Sequence, residues 1–361
     1  MCIVTSMPNR ARVGTLLLAL FCGVAGCDAI TGRLIDQGVK QALRGNRADL
    51  LDDGKLNVVL CGTGSPLAAA GRASACTAVL AGGHFFLVDV GPASVHNLGL
   101  WRMPLERLAG VLLTHFHSDH IGDLGETVTQ SWIAGRKAPL PVYGPPGVDR
   151  VVAGFQEAYA LDRGYRVAHH DAANMPPEAG TLSARILALP SLDEAAVVFE
   201  QDGLRVTAFR VDHTPVSPAY GYRFDFGGRS VVVSGDTKPT ENLVRQSKGA
   251  SILVAEALAV HIVERVSKGI SEGGNARLGR MSHDILEYHT SPAQAVEMAR
   301  DAGVEALVLT HLVPAPQNRV VEWLFLRGTE GLWSGEVILA RDGMLISLPP
   351  NSTEFTLGNV S

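Results

Sequence analysis

The segment Thr114-His115-Phe116-His117-Ser118-Asp119-His120 constrains this chain more than any other part of it. Three imidazoles and one carboxylate fall within six residues, directly after the apolar run 108–114. Imidazole nitrogen and carboxylate oxygen together suit divalent metals such as zinc. Side chains alternate along an extended segment, so His115 and His117 point to one side. Asp119 and His120 then turn toward a second position. One ion cannot take all four groups from so tight a loop, and a two-metal site follows.

The rest of the body alternates strands and helices around turns. Residues 56–61 and 108–114 read as strands, and 77–80 with 84–90 read as a hairpin about Gly82-Gly83. Strands are also expected over 204–211, 219–226 and 230–234, the last two joined at Gly227-Gly228. Periodicity predicts helices over 148–160 and 292–302, and 306–310 reads as an apolar strand. Residues 262–288 hold Gly269, Gly273 and Gly274 among charges, which suits a mobile lid or a plain surface loop. Such a series fits layered sheets covered by helices.

The cluster resembles the H-x-H-x-D-H signature of the metallo-β-lactamase superfamily, and further motifs follow in the order that family requires. An isolated His stands in Val211-Asp212-His213-Thr214, a strand-end Asp in Ser234-Gly235-Asp236-Thr237, and a last His in Leu309-Thr310-His311. The resemblance implies an α/β fold, the αββα four-layer sandwich. It implies two divalent metal ions, zinc foremost, with His115, His117 and His213 on one. Asp119, His120 and His311 would hold the other, with Asp236 bridging. Asp89, in Leu87-Val88-Asp89-Val90-Gly91, matches the early Asp that supports the ligand loop from behind. Two such metals supply a hydroxide near neutral pH, and Asp119 would orient that nucleophile or relay its proton. The implied reaction is metal-dependent hydrolysis of an ester.

Within the superfamily the chain looks most like the branch of ribonuclease Z and the zinc-dependent arylsulfatases. Gly62-Thr63-Gly64-Ser65-Pro66, the Asp236 bridge and His289-Thr290-Ser291 carry that likeness. His289 is therefore a second catalytic candidate, placed to stabilise charge on an ester oxygen or leaving group. Two departures separate the chain from the nuclease. Its long RNA-gripping arm has no room between His213 and Asp236, and its His-Glu-Ala-Thr motif appears as Ala255-Glu256-Ala257-Leu258. The expected function is accordingly hydrolysis of a small-molecule sulfate or phosphate ester, arylsulfatase-like. A phosphodiesterase or ribonuclease Z-like nuclease is the alternative, then a lactonase. A metal-binding envelope protein without turnover is the reading from a different class. The segment 121–211 resembles the corresponding part of arylsulfatase-like members and is expected to shape the pocket or a homodimer contact. His169 and His170 within it are left out of the metal set.

The N-terminus reads as a targeting segment. Residues 1–26 carry Arg10 and Arg12, no acid, and an apolar run from Val13 to Phe21 too short to span a bilayer. Val24-Ala25-Gly26-Cys27 resembles a bacterial lipobox, so Cys27 is the expected lipidation site and Met7 an alternative start. Asp28 fits retention at the inner membrane, facing the periplasm in a Gram-negative envelope. The expected organisation is a signal over 1–26, a polar stalk over 27–54, the hydrolase over 55–350 and a tail over 351–361. Loss of the signal leaves 29 Lys and Arg against 36 Asp and Glu, so the charge moves from −5 to −7. No block of basic residues appears. With the predicted export, this argues against a nucleic-acid partner. Cys61 and Cys76 are expected as two buried thiols, with a disulfide the alternative in an oxidising compartment.

Overall fold

The computed structural model describes residues 35–37, 39 and 45–361, so the predicted signal and lipidated Cys27 lie outside the described residues. The chain divides into two units, Met1–Gly45 and Asn46–Ser361. The described residues of the first unit are exposed, and 35–37 and 39 among them are helical. No helix among the described residues is long and apolar enough to cross a membrane.

The second unit is built on two mixed sheets. The first contains β1 (Leu56–Gly62), β2 (Cys76–Ala81), β3 (His84–Val88), β4 (Leu108–Leu112), β5 (Leu140–Gly144) and β6 (Leu182–Ile186) in that spatial order. The second runs through β7 (Ala195–Gln201), β8 (Leu204–His213), β9 (Val216–Phe226), β10 (Arg229–Val233), β11 (Ile252–Leu258), β12 (Ala306–Val313) and β13 (Glu336–Leu339). The chain then returns to the first sheet, where β14 (Met344–Leu348) pairs with β1 and β15 (Thr356–Asn359) forms the edge. The segment 351–361, expected as a tail, thus carries a paired strand.

Eleven α-helices are described in the second unit. On the first half lie α1 (Asp49–Asp52), α2 (Ser94–Leu100), α3 (Ser118–Ile121), α4 (Leu124–Ile133), α5 (Val148–Ala158) and α6 (Ala160–His170). On the second lie α7 (Glu241–Ser247), α8 (Val260–Glu272), α9 (Ala276–Asp284), α10 (Pro292–Ala302) and α11 (Arg319–Phe325).

Alternation within the strands makes the layers. Val58 and Leu60 of β1 pack between the sheets with Tyr222, Phe224 and Val254, whereas Val59 and Cys61 face Leu98, Leu124 and Val128 of the helices. In the second sheet Leu253 and Leu307 face Ala295, Val296 and Phe325 of α10 and α11. Three apolar layers therefore separate four structural ones, the expected αββα sandwich. β1, β2, β10 and β11 are buried at every residue, which is why they read as continuous apolar runs. Each fully buried Leu, Val or Phe side chain contributes roughly 1.5–3 kcal/mol.

Three local expectations change. Cys61 and Cys76 are joined in a disulfide rather than left as thiols: antiparallel pairing of β1 with β2 sets Gly62 opposite Cys76 and brings the two Cα atoms to 5.0 Å. The stretch 262–288 is no loop, because α8 and α9 form a helical hairpin turned at Gly273-Gly274. Gly279 allows the two helices to meet, since a Cβ there would fall 1.9 Å from Ser271 Oγ and 2.7 Å from the Ser267 carbonyl oxygen. The expected helix 148–160 ends at Ala158, and α6 begins two residues later.

Candidate metal centre

The predicted ligands gather at strand ends from both halves. β4 delivers Thr114–His120, with His117 in extended backbone as the N-cap of the single turn α3 that carries Asp119 and His120. β8 ends at His213, β10 runs into Asp236, and β12 carries His311. His115, His117, His213 and Asp236 form one group whose ligand atoms lie within 4.8 Å of one another; Asp119, His120 and His311 form a second. Asp236, a member of the first group, also stands with Oδ2 3.4 Å from His120 Nε2 and 3.5 Å from His311 Nε2 of the second, so this carboxylate faces both groups. All seven side chains but His117 are buried.

Outer contacts settle which ring nitrogen faces inward. His120 Nδ1 donates to Asp89 Oδ2 at 2.7 Å, and His213 Nδ1 donates to the Tyr288 carbonyl oxygen at 2.9 Å. The Thr114 hydroxyl donates to Asp89 Oδ2 and therefore accepts from His115 Nδ1 at 3.0 Å. Each contact leaves Nε2 as the unprotonated nitrogen. Buried His120 Nε2 and His213 Nε2 make no hydrogen bond within the protein. A buried acceptor without a partner is costly, and a divalent cation satisfies it. The donor set fits two ions.

Charge follows the same pattern at three of the imidazoles and departs from it at His120. Burial holds His115 well below its usual pKa and lowers His117 and His213, which keeps them as the neutral imidazoles a metal requires. For His120, burial opposes the charged form, but Asp236 and Asp89 outweigh it and raise the pKa. Burial also opposes ionisation of Asp119 and Asp236, yet His311 and His120 hold both below the usual carboxylate range.

Asp89 adopts a left-handed backbone, φ 59°, and its Oδ1 accepts the Thr114 N–H at 2.8 Å. This one carboxylate ties the end of β3 to the loop after β4. His289 precedes α10, whose start is fixed by the reciprocal Ser291–Gln294 capping box. Its Nδ1 donates to Glu256 Oε1 at 2.9 Å, while the same oxygen accepts the Thr237 and Thr290 N–H groups. Burial opposes the charged His289, but Glu256 more than offsets it and lifts the pKa to about 9. Asp236, His289 and His311 also form a third convergent group, so His289 borders the metal set directly. Sequence reasoning gave Glu256 no role beyond a motif remnant. The signal was present as the only carboxylate in the buried run Ile252–Leu258. His169 and His170 are exposed at the end of α6.

Comparison with known proteins agrees with this geometry. The family described as Beta-lactamase superfamily domain matches residues 84–312. The chain belongs to the metallo-β-lactamase superfamily. Ribonuclease Z of Mycobacterium bovis (strain BCG / Pasteur 1173P2) is 35% identical over 299 residues, covering 82% of this chain and 99% of the relative. Ribonuclease Z of Mycolicibacterium gilvum (strain PYR-GCK) is 36% identical over 280 residues, 76% of this chain and 90% of the relative. Among solved structures, human tRNase Z, short form, shares the fold with a TM-score of 0.58 at 20% identity, over 81% of this chain and 99% of that one. The metallo-beta-lactamase fold protein YhfI from Bacillus subtilis gives 0.56 at 21% identity, again over 81% and 99%.

The superfamily member is a hydrolase of ester bonds with a binuclear metal site. The ribonuclease Z relatives overturn two expectations, the small sulfate or phosphate ester as substrate and the argument against nucleic acid. Both rested on the missing arm, the altered His-Glu-Ala-Thr motif, the lack of a basic block and the predicted export. None of these by itself excludes a phosphodiester at the metal centre, and a net charge averaged over the chain does not describe its site.

Proposed function

We propose that this superfamily member is a binuclear zinc ribonuclease that hydrolyses a phosphodiester bond of RNA. The observation that carries the reading is the 35% identity to ribonuclease Z over nearly the full length of that relative. His115, His117 and His213 would hold one ion, Asp119, His120 and His311 the other, with Asp236 shared. Bound zinc would polarise the phosphodiester and make water a nucleophile near neutral pH. Asp119, whose Oδ2 lies 3.2 Å from His311 Nε2, is placed to orient that water and take its proton. His289 stays protonated at neutral pH because Glu256 pairs with Nδ1, so Nε2–H can neutralise charge on the phosphate or the departing oxygen. The test is incubation of the zinc-loaded protein with end-labelled RNA. Discrete cleavage, lost in the Asp236→Ala variant, is expected, and intact RNA under metal-replete conditions refutes the reading.

We propose further that the protein is exported and lipid-anchored through Cys27 in the cell envelope. The Cys61–Cys76 disulfide supports this, since such bonds persist in oxidising compartments and are rare in the cytosol. Membrane fractionation of wild type and Cys27→Ser checks it. A variant that fractionates like wild type refutes the anchor.

A further inference from the structure

Between His213 and Asp236 the chain has only the β9–β10 hairpin, so RNA must be gripped elsewhere. Beside the metal ligands opens a cavity of about 410 Å³, floored by His117, Asp119, Asp236, His289 and His311. Its wall is the α8–α9 hairpin and the short turn after α9, through Val266, Leu278, Met281, Ile285 and Tyr288, with Leu67 also lining it. Val266 is 47% exposed, Leu278 42% and Met281 49%, an unusual degree of exposure for apolar side chains grouped around one opening. No lysine or arginine lines the cavity among the described residues. Along this wall, away from His289 and the metal ligands of the floor, a phosphate would find no cationic side chain, whereas an uncharged ring with two apolar faces would be well accommodated. Arg277 and Arg280 flank Leu278 and Met281 on α9; both are exposed, and neither is ion-paired with another described residue. Apolar surface for a base with cations alongside for its phosphates is how single-stranded nucleic acid is held without sequence preference.

We propose that the α8–α9 hairpin forms a subsite for one unstacked nucleobase next to the scissile phosphate, which directs the enzyme to single-stranded RNA. The inference rests on the ribonuclease reading and deepens it. Gly279 packs α9 closely onto α8, so the wall is a rigid element and the base meets a preformed surface.

The test compares adenosine 5′-monophosphate with ribose 5-phosphate as ligands of the zinc-loaded protein, in wild type and in the Leu278→Glu/Met281→Glu variant. RNA cleavage is measured alongside. A base contact of this kind is worth roughly 5- to 150-fold in affinity, so the mononucleotide should bind wild type that much more tightly, and the advantage should vanish in the variant. KM for RNA should rise in proportion, with kcat nearly unchanged. Both replaced residues are about half exposed; Met281→Ala, with a smaller loss, provides a second reading if the double variant fails to fold. Cleavage of RNA with equal affinity for the two ligands overturns the subsite and leaves the ribonuclease reading standing. Base discrimination that the variant abolishes, without any RNA cleavage, supports the subsite and overturns the ribonuclease reading.

Discussion

Replacing Asp89 by Asn tests the support behind the metal ligands with little change in shape. The carboxylate accepts from the Thr114 N–H, the Thr114 hydroxyl and His120 Nδ1, at 2.8, 2.8 and 2.7 Å. Asn tolerates the left-handed backbone about as well as Asp, so strain does not enter. An amide, however, has one oxygen where the carboxylate has two. The Thr114 N–H cannot be re-aimed and takes that oxygen, which leaves an NH2 facing His120 Nδ1. His120 must then place its proton on Nε2, the nitrogen that faces Asp119 and Asp236. Loss of an outer partner of this kind costs about 10- to 100-fold in metal affinity, or roughly 1.4–2.7 kcal/mol. Competitive titration against a chromophoric chelator measures both sites. The site with His120 should weaken by that factor, and the His115, His117 and His213 site should weaken less, because His115 reaches Asp89 only through the Thr114 hydroxyl. Unchanged affinity at both sites would refute the tautomer argument.

Two further outcomes are expected. Glu256→Gln removes the charge that keeps His289 protonated, so kcat on RNA should fall about 100-fold or more with bound metal unchanged; an unaltered kcat sinks the role given to this pair. Reduction of the Cys61–Cys76 bond, which spans a sequence separation of 15, should lower stability by about 3 kcal/mol in urea titrations, and Cys61→Ser/Cys76→Ser should match the reduced wild type. Identical oxidised and reduced midpoints count against the bond.

The metal centre was legible because its residues are chemically distinctive and stand at ends of strands that are themselves apolar runs. The hairpins at Gly82-Gly83 and Gly227-Gly228 were legible for a related reason: all four glycines have positive φ, as the tight turns demand. Edge strands gave no such signal. β6 and β7 expose much of their length, so neither an apolar run nor a clean alternation marks them. The α8–α9 hairpin was hidden because the glycines at its turn and its charged outer face imitate a loop. The substrate was misread from absences, an arm, an intact His-Glu-Ala-Thr motif and a basic patch, and from the predicted export, and it was the ribonuclease Z relatives that corrected the reading.

Asp119 and His311 touch across 192 residues of sequence. The complete coordination set therefore cannot exist on a nascent chain until β12 has left the ribosome and both sheets have closed on each other. Metal uptake then reports the finished fold and not a stage on the way to it. A protein carrying its full metal complement has, by that fact, passed a test of assembly, and a copy truncated before residue 306 has no way to become an active hydrolase.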